Sequence, residues 1–429
     1  MEKDFLIRDV RAREVLDCRG QPTVKVEVIT EGGFWGAAIV PSGRSKGSYE
    51  ALELRDGEKR YHGMGVLKAV RNVMEVLAPA LKGKDVRRQR EIDMLMIEMD
   101  GTENKSRIGA NAIVGVSLAV AKAAANALGI PLYRYIGGVN AHLLPIPILD
   151  LIEGGKLAAT DLDFQEHQAI PVRAKTFSDA IRMGLEVYQI LGGILSKKYG
   201  KYSLNVGVEG GYTPPGLRDP REAFDAILKA IEEGGYSNEF VLGLDCAATH
   251  IFNHKTERYS LMGRELSREE LIDFYEELVS AYPLRSIEDP FHEEDFEGYA
   301  VLTETLNIQI VGDDLFATNL KRLRKGIEMR AANAILLKVN QAGTLTEALD
   351  VTDLALRSGY NIVVSERSGQ SEDTWLADLV VGINAGQIKT GVTRGERTAQ
   401  YNRLLCIEEE LGSSARYAGN YFKQLLLAK

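Results

Sequence analysis

The sequence predicts an α/β protein, a parallel (β/α)8 TIM-type barrel preceded by an N-terminal α+β capping domain built from a three-stranded meander plus helices. Three observations carry this. Beyond Gly138, short β-rich runs alternate with helical patterns. Most of the runs close on a charged residue, as in Val241-Leu242-Gly243-Leu244-Asp245, Arg285-Ser286-Ile287-Glu288, Ile310-Val311-Gly312-Asp313, Leu336-Leu337-Lys338, Val363-Val364-Ser365-Glu366 and Gln387-Ile388-Lys389. Their recurrence is irregular just after Asp245 and then settles near one unit per ~25 residues, the length that one strand, one helix and their loops occupy. Charges at strand ends mark a barrel whose active site lies at the carboxyl ends of its strands. An open doubly wound sheet would want a Gly-x-Gly-x-x-Gly turn after a strand, and none is present.

Taken in order, the first forty residues alternate apolar and polar, as in Thr23-Val24-Lys25-Val26-Glu27-Val28, with turn signals at Arg19-Gly20-Gln21-Pro22 and Glu31-Gly32-Gly33. Helical periodicity follows over 65–77, 87–99 and the alanine-rich 111–128, which closes at Gly129 with Pro131 beyond. Between strand and helix lies Val40-Pro41-Ser42-Gly43-Arg44-Ser45-Lys46-Gly47-Ser48, whose glycines, serines and cations suit either a fold over an anion or a solvated turn. It lacks the spacing of a P-loop. A seam at Gly137-Gly138, followed by Leu144-Pro145-Ile146-Pro147, divides the chain into 1–137 and 138–429. Helices over 268–281 and 344–357 fill two of the gaps between barrel strands.

Interspersed charges, 52 basic and 61 acidic with a formal balance of −9, argue against a nucleic-acid or anionic-membrane partner. An anionic substrate must then find a local basic site. Cys18, Cys246 and Cys406 form no Cys-x-x-Cys, so neither a disulfide framework nor a zinc site is expected, and a reducing cytoplasm fits. The start shows no apolar signal region, and no run is expected to reach the ~20 apolar residues of a membrane span.

Consecutive strand ends are neighbours around a barrel, so Asp245, Glu288 and Asp313 should converge. Their mutual repulsion calls for a positive partner, either the lysines that follow or a divalent cation, for which all-oxygen ligation favours Mg²⁺ or Mn²⁺. Lys338 ends an apolar run, where burial lowers an ammonium pKa toward that of a usable base; the plainer alternatives are a snorkelling lysine or a structural ion-pair network. Lys389 follows two strands later. Phe164-Gln165-Glu166 and Val206-Gly207-Val208-Glu209-Gly210-Gly211 add two carboxylates at expected strand ends. A metal on one side and a lysine on the other describe removal of a proton next to a carboxylate, with Glu209 as the acid that expels a leaving group and Glu166 in support.

The sequence resembles the enolase family over nearly its whole length. The matches include Asp17-Cys18-Arg19-Gly20-Gln21-Pro22-Thr23, Glu53-Leu54-Arg55-Asp56-Gly57, Ser286-Ile287-Glu288-Asp289-Pro290-Phe291, Leu336-Leu337-Lys338-Val339-Asn340-Gln341 and Gln387-Ile388-Lys389-Thr390-Gly391. A lysine base facing Mg²⁺ is the known arrangement of that superfamily. The resemblance implies dehydration of 2-phosphoglycerate to phosphoenolpyruvate with two Mg²⁺, on a modified barrel that begins ββαα. It also implies Asp245, Glu288 and Asp313 as ligands of the first metal and Ser45 as a loop ligand of the second. Lys338 is then the base, Glu209 the acid with Glu166 beside it, Lys389 the carboxylate contact, Arg367 and Ser368 the phosphate contacts, with Gln165 also matching. A homodimer or homo-octamer is implied, one inter-subunit ion pair surviving as Arg13 and Glu409.

Departures from the family pattern surround the substrate. Leu157 stands for a loop histidine in Glu153-Gly154-Gly155-Lys156-Leu157, Glu366 for a histidine in Ser365-Glu366-Arg367-Ser368, and Val208 for an acidic neighbour of Glu209, while Arg44 and Lys46 add cations to the loop. Three readings stay open: a 2-phosphoglycerate dehydratase that tolerates these changes, a paralogue acting on another phosphorylated acid with an anionic group near Arg44 and Lys46, and a non-catalytic binding protein of the same descent.

Overall fold

The structure is a computed structural model and describes residues 2–43, 47–158, 160–419 and 421. Its N-terminal layer is an antiparallel meander, β1 (Ile7–Leu16), β2 (Pro22–Thr30) and β3 (Trp35–Ile39), in that spatial order. Alternating burial along β2 gives one face to the core, and Ala110–Leu128 lies across it. The approach is close: a Cβ at Gly36 would meet Ala123 N at 2.2 Å, and one at Gly115 would meet Val26 Cγ2 at 2.5 Å. By length and composition this helix could cross a membrane, contrary to the expectation that no run is long enough, yet 78% of its apolar window is buried inside the protein. It is a core helix. The pattern at 65–77 resolves into Leu67–Asn72 followed by a π-helical turn, Val73–Leu77, and the pattern at 87–99 into Gln89–Asp100.

Eight strands then close a barrel: β4 (Ile146–Glu153), β5 (Glu166–Ile170), β6 (Val241–Asp245), β7 (Leu284–Glu288), β8 (Gln309–Gly312), β9 (Ala334–Leu337), β10 (Asn361–Ser365) and β11 (Gln387–Lys389). β11 returns to β4 in parallel, with Lys389 opposite Ile148. The parallel order read from the strand-end charges is modified at β5, within the ββαα start that the resemblance implies: β5 runs antiparallel to both neighbours, Glu166 standing opposite Glu153 on one side and Asp245 on the other. The physical reason is the connection. The described part of residues 154–165 forms a single 3-10 turn, Gly155–Leu157, and no crossover helix, so the chain turns back as a hairpin. Two helices, Phe177–Tyr199 and Pro220–Glu233, then precede β6, giving the ββαα start.

A small antiparallel sheet, Phe252–Asn253, Arg258–Leu261 and Arg264–Leu266, intervenes after β6 and accounts for the irregular spacing there. The helix predicted at 268–281 is present as Arg268–Ala281, opened by a Ser267/Glu270 capping box. Leu345–Arg357 starts at Thr344, whose hydroxyl accepts from Glu347 N. Barrel strands buried on both faces, such as β9 and β10, read as continuous apolar runs because helices cover their outer side.

Candidate active site

Each barrel strand delivers one ionisable side chain to the same rim. Glu153, Asp245, Glu288 and Lys389 end their strands; Asp313, Lys338 and Glu366 follow theirs by one residue; Glu166 begins the reversed strand. Reversal is what brings the first residue of β5 to a rim built otherwise from strand carboxyl ends.

Lys389 is the hub of one half of this ring. Its buried Nζ lies 2.7 Å from Glu166 Oε2, 2.8 Å from Asp245 Oδ2 and 2.9 Å from Glu288 Oε2. Gln165 Nε2 also donates to Asp245 Oδ2, at 2.9 Å. Lys338 belongs to the other half, its Nζ 2.5 Å from Asp313 Oδ2, and Gln341 donates to the second oxygen of Asp313 at 3.0 Å. Burial works to lower the Lys338 pKa, but the charges of Asp313 and Glu288 outweigh it and hold the ammonium above its ordinary value. The expectation that burial alone would bring Lys338 toward a neutral amine is corrected accordingly.

Asp245, Glu288 and Asp313 come to one rim, but they are not the tightest acidic groups. Among the described residues those are Asp289, Asp313 and Asp314, and Asp150, Glu166 and Glu209, each with ligand oxygens within 4.8 Å of one another. Asp289 links the ends of β7 and β8. It takes a left-handed backbone (φ 42°), and its carboxylate accepts from Asp313 N, Asp314 N and the Tyr299 hydroxyl at 2.8–2.9 Å. Burial, with Asp313 next, raises its pKa to about 7.

Glu209 is not at a strand end, as expected, but in a turn lying over the rim. The buried carboxyl of Glu153 holds that turn, accepting from Glu209 N at 3.0 Å and Gly211 N at 2.6 Å. Burial, reinforced by the nearby Glu209 charge, raises the Glu153 pKa to about 8. Gly391 (φ 68°) passes so close that a Cβ would meet Glu209 O at 2.3 Å.

Glu366 is buried too. Thr390 Oγ1 donates to it at 2.7 Å, and the fully enclosed Arg397 forms an ion pair with the same oxygen. Burial pushes its pKa to about 8 even against Arg397. Arg367 makes a two-pronged pair with Glu50, at 2.7 and 3.1 Å, and Ser368 Oγ accepts from Arg19 at 3.2 Å. Ser42 and Gly369 exchange backbone hydrogen bonds, which fixes the strand-end loop of β10 against the N-terminal layer. Arg44, Ser45 and Lys46 lie outside the described residues, as does the side chain of Leu157. Beside it, Lys156 Nζ is 2.9 Å from His250 Nδ1.

Sequence reasoning missed Asp150, Asp289, Glu50, His250 and Arg397. Asp289 lies within a motif that it did read, and Asp150 lies beside one. Nothing in the helical pattern around Arg397 marks its side chain as buried.

Two family profiles match the chain, "Enolase, N-terminal domain" over residues 7–136 and "Enolase, C-terminal TIM barrel domain" over 141–426. The chain belongs to the enolase family. It is 58% identical over 424 residues to an enolase of Methanocaldococcus jannaschii, covering 99% of both chains. It is 56% identical over 430 residues to one of Pyrococcus furiosus, covering 99% of this chain and all of that one. A third, from Thermococcus gammatolerans, is 56% identical over 432 residues, the full length of both. Enolases are Mg²⁺-dependent lyases, and the rim residues fit such an ion: hard carboxylate oxygens converge on single positive charges, those of Lys389 and Lys338, with no soft donor among them.

Proposed function

We propose that this enolase-family lyase dehydrates 2-phosphoglycerate to phosphoenolpyruvate, with Lys338 removing the proton next to the carboxylate and Glu209 assisting departure of the hydroxyl. The observation that carries the assignment is the division of the rim: Lys338 with Asp313 on one side, Glu209 with Glu166 and Asp150 on the other. Lys389 and Gln165 would face the substrate carboxylate, and Arg367 and Ser368 its phosphate. Asp245, Glu288 and Asp313 would hold one Mg²⁺, with Ser45 contributing to a second; Mn²⁺ suits the same oxygens. When bound, the metal supplies positive charge for the developing enediolate. The buried position of the carboxylates strengthens every charge interaction there. The functional division of the chain falls at Gly137 and Gly138, the barrel segment carrying most of the chemistry.

Formation of phosphoenolpyruvate from 2-phosphoglycerate by the purified protein, dependent on Mg²⁺ and stopped by a chelator, is the expected result. Failure under those conditions overturns the assignment. A second reading, in which a related phosphorylated acid is the better substrate, draws support from the buried Glu366 and Arg397 pair at a position where the family pattern has a histidine. It is tested by comparing kcat/KM for 2-phosphoglycerate with that for phosphorylated hydroxy acids bearing a further anionic group. Higher efficiency with 2-phosphoglycerate removes it.

The three cysteines are free, as a reducing compartment such as the cytoplasm would keep them. A homodimer or homo-octamer is supported by family membership. Arg13 pairs with Glu27 of its own chain at 2.6 Å and remains half exposed, leaving it available to Glu409 of another copy. Sedimentation tests this.

A further inference from the structure

Arg397 projects from the last barrel helix, Gly395–Leu411, and has no exposed surface. An arginine so placed must spend its donors on internal acceptors, since an unpaired guanidinium would carry a large desolvation cost. The acceptors of its two terminal nitrogens come from two separate segments, while Nε lies 3.4 Å from Glu396 Oε1. Nη1 pairs with the Glu366 carboxylate and donates to Arg367 O at 2.9 Å; Nη2 donates to Ser368 O at 3.1 Å and to Val208 O at 3.2 Å. One guanidinium therefore ties the strand-end loop at 366–368 to the turn that carries Glu209. The same turn is held from beneath by Glu153, and Val392 N donates to Glu209 O at 3.1 Å. Lys338 stands apart from this arrangement, anchored by Asp313 and by its own backbone N–H to Thr318 Oγ1 at 2.9 Å.

We propose that Arg397 is a positioning residue: it holds the Glu209 turn in register with the 366–368 loop and so serves the leaving-group half of the reaction, with little effect on proton removal by Lys338. The planar fork of arginine is what allows one side chain to span carbonyls from both segments; a lysine would offer a single point of charge. This inference rests on the proposed division of labour between Lys338 and Glu209.

The test separates the two halves. Exchange of the substrate α-proton with solvent deuterium reports the Lys338 half; release of phosphoenolpyruvate reports the whole reaction. In folded Arg397→Lys, with Mg²⁺ present, exchange should stay within a few-fold of native while phosphoenolpyruvate release falls by about 10²-fold, as for a displaced catalytic group. KM should rise less than kcat falls, because the loop at 366–368 also carries the groups facing phosphate. If Arg397→Lys does not fold, Glu366→Gln replaces it. That change leaves the three carbonyl contacts in place, and it should shift the ratio of exchange to release in the same direction, by less. Equal losses of exchange and release, or no loss of either, overturn the positioning role while leaving the proposed function standing. Native protein that neither exchanges nor releases product overturns both.

Discussion

Lys338 donates to Asp313 across 2.5 Å, joining the residue that follows β9 to the carboxylate that follows the adjacent strand, β8. The proposed base and a proposed ligand of the first metal are therefore coupled through one oxygen. Lys338→Ala should lose solvent exchange of the substrate α-proton by roughly 10²–10⁴-fold, the usual contribution of a general base. Lys338→Arg should be as inactive, because a guanidinium does not deprotonate in this pH range, yet it should keep the pair with Asp313 and a melting temperature near native. Exchange assays and thermal melts on both variants check this.

Lys389 is the counter-charge shared by Glu166, Asp245 and Glu288. Replacing it with methionine leaves buried carboxylates without a counter-charge, a change that costs about 3–5 kcal/mol in comparable cases. We expect Lys389→Met to melt well below native in chelator and to recover more than native does when Mg²⁺ is added. Equal Mg²⁺ increments in both proteins would show that the carboxylates do not hold the ion.

Glu153 titrates near pH 8 in the folded protein because burial, helped by Glu209, disfavours its charge. Between its unfolded pKa, about 4.5, and 8 the folded state binds the additional proton, so this group's contribution is full below pH 4.5 and is lost as pH rises through 8. Glu153→Gln cannot titrate. Its stability should therefore gain on native by up to about 4 kcal/mol between pH 5 and pH 8. Denaturant melts across that range measure the difference.

His167 shows the opposite sign. Burial lowers its pKa to about 3, with its ring set edge-on to Phe224 at 5.2 Å. The unfolded chain binds a proton near pH 6.5 that the folded chain refuses, so stability falls as pH drops below 6.5, by about 2 kcal/mol at pH 5. His167→Leu should flatten this acid limb, and urea midpoints at pH 7 and pH 5 test it.

The barrel was legible because period and punctuation agree: continuous apolar runs are what doubly covered strands require, and the charges after them fall where the rim lies. Asp245, Glu288, Asp313, Lys338 and Lys389 were found by that rule alone. Glu209 came to light as a carboxylate at an expected strand end; its placement in a turn was missed because local β propensity around Val206 and Val208 is real but unpaired in a barrel strand. The reversal of β5 depends on one connection forming no crossover helix, which composition does not announce. Arg397 was invisible for another reason. An arginine within a polar helix face reads as solvated, and only tertiary packing turns that face toward the rim.

The reversed strand has a mechanical consequence. Segment 154–165 leaves the barrel at Glu153 and re-enters at Glu166, two residues that face each other across one ladder. The hairpin thus hangs from a single hem. A force on it is delivered to both roots at once, and these roots grip different things: Glu153 the turn of Glu209, Glu166 the ammonium of Lys389. Pressure from a molecule beneath the hairpin would be felt at the Glu209 turn and at the Lys389 ammonium through two covalent handles.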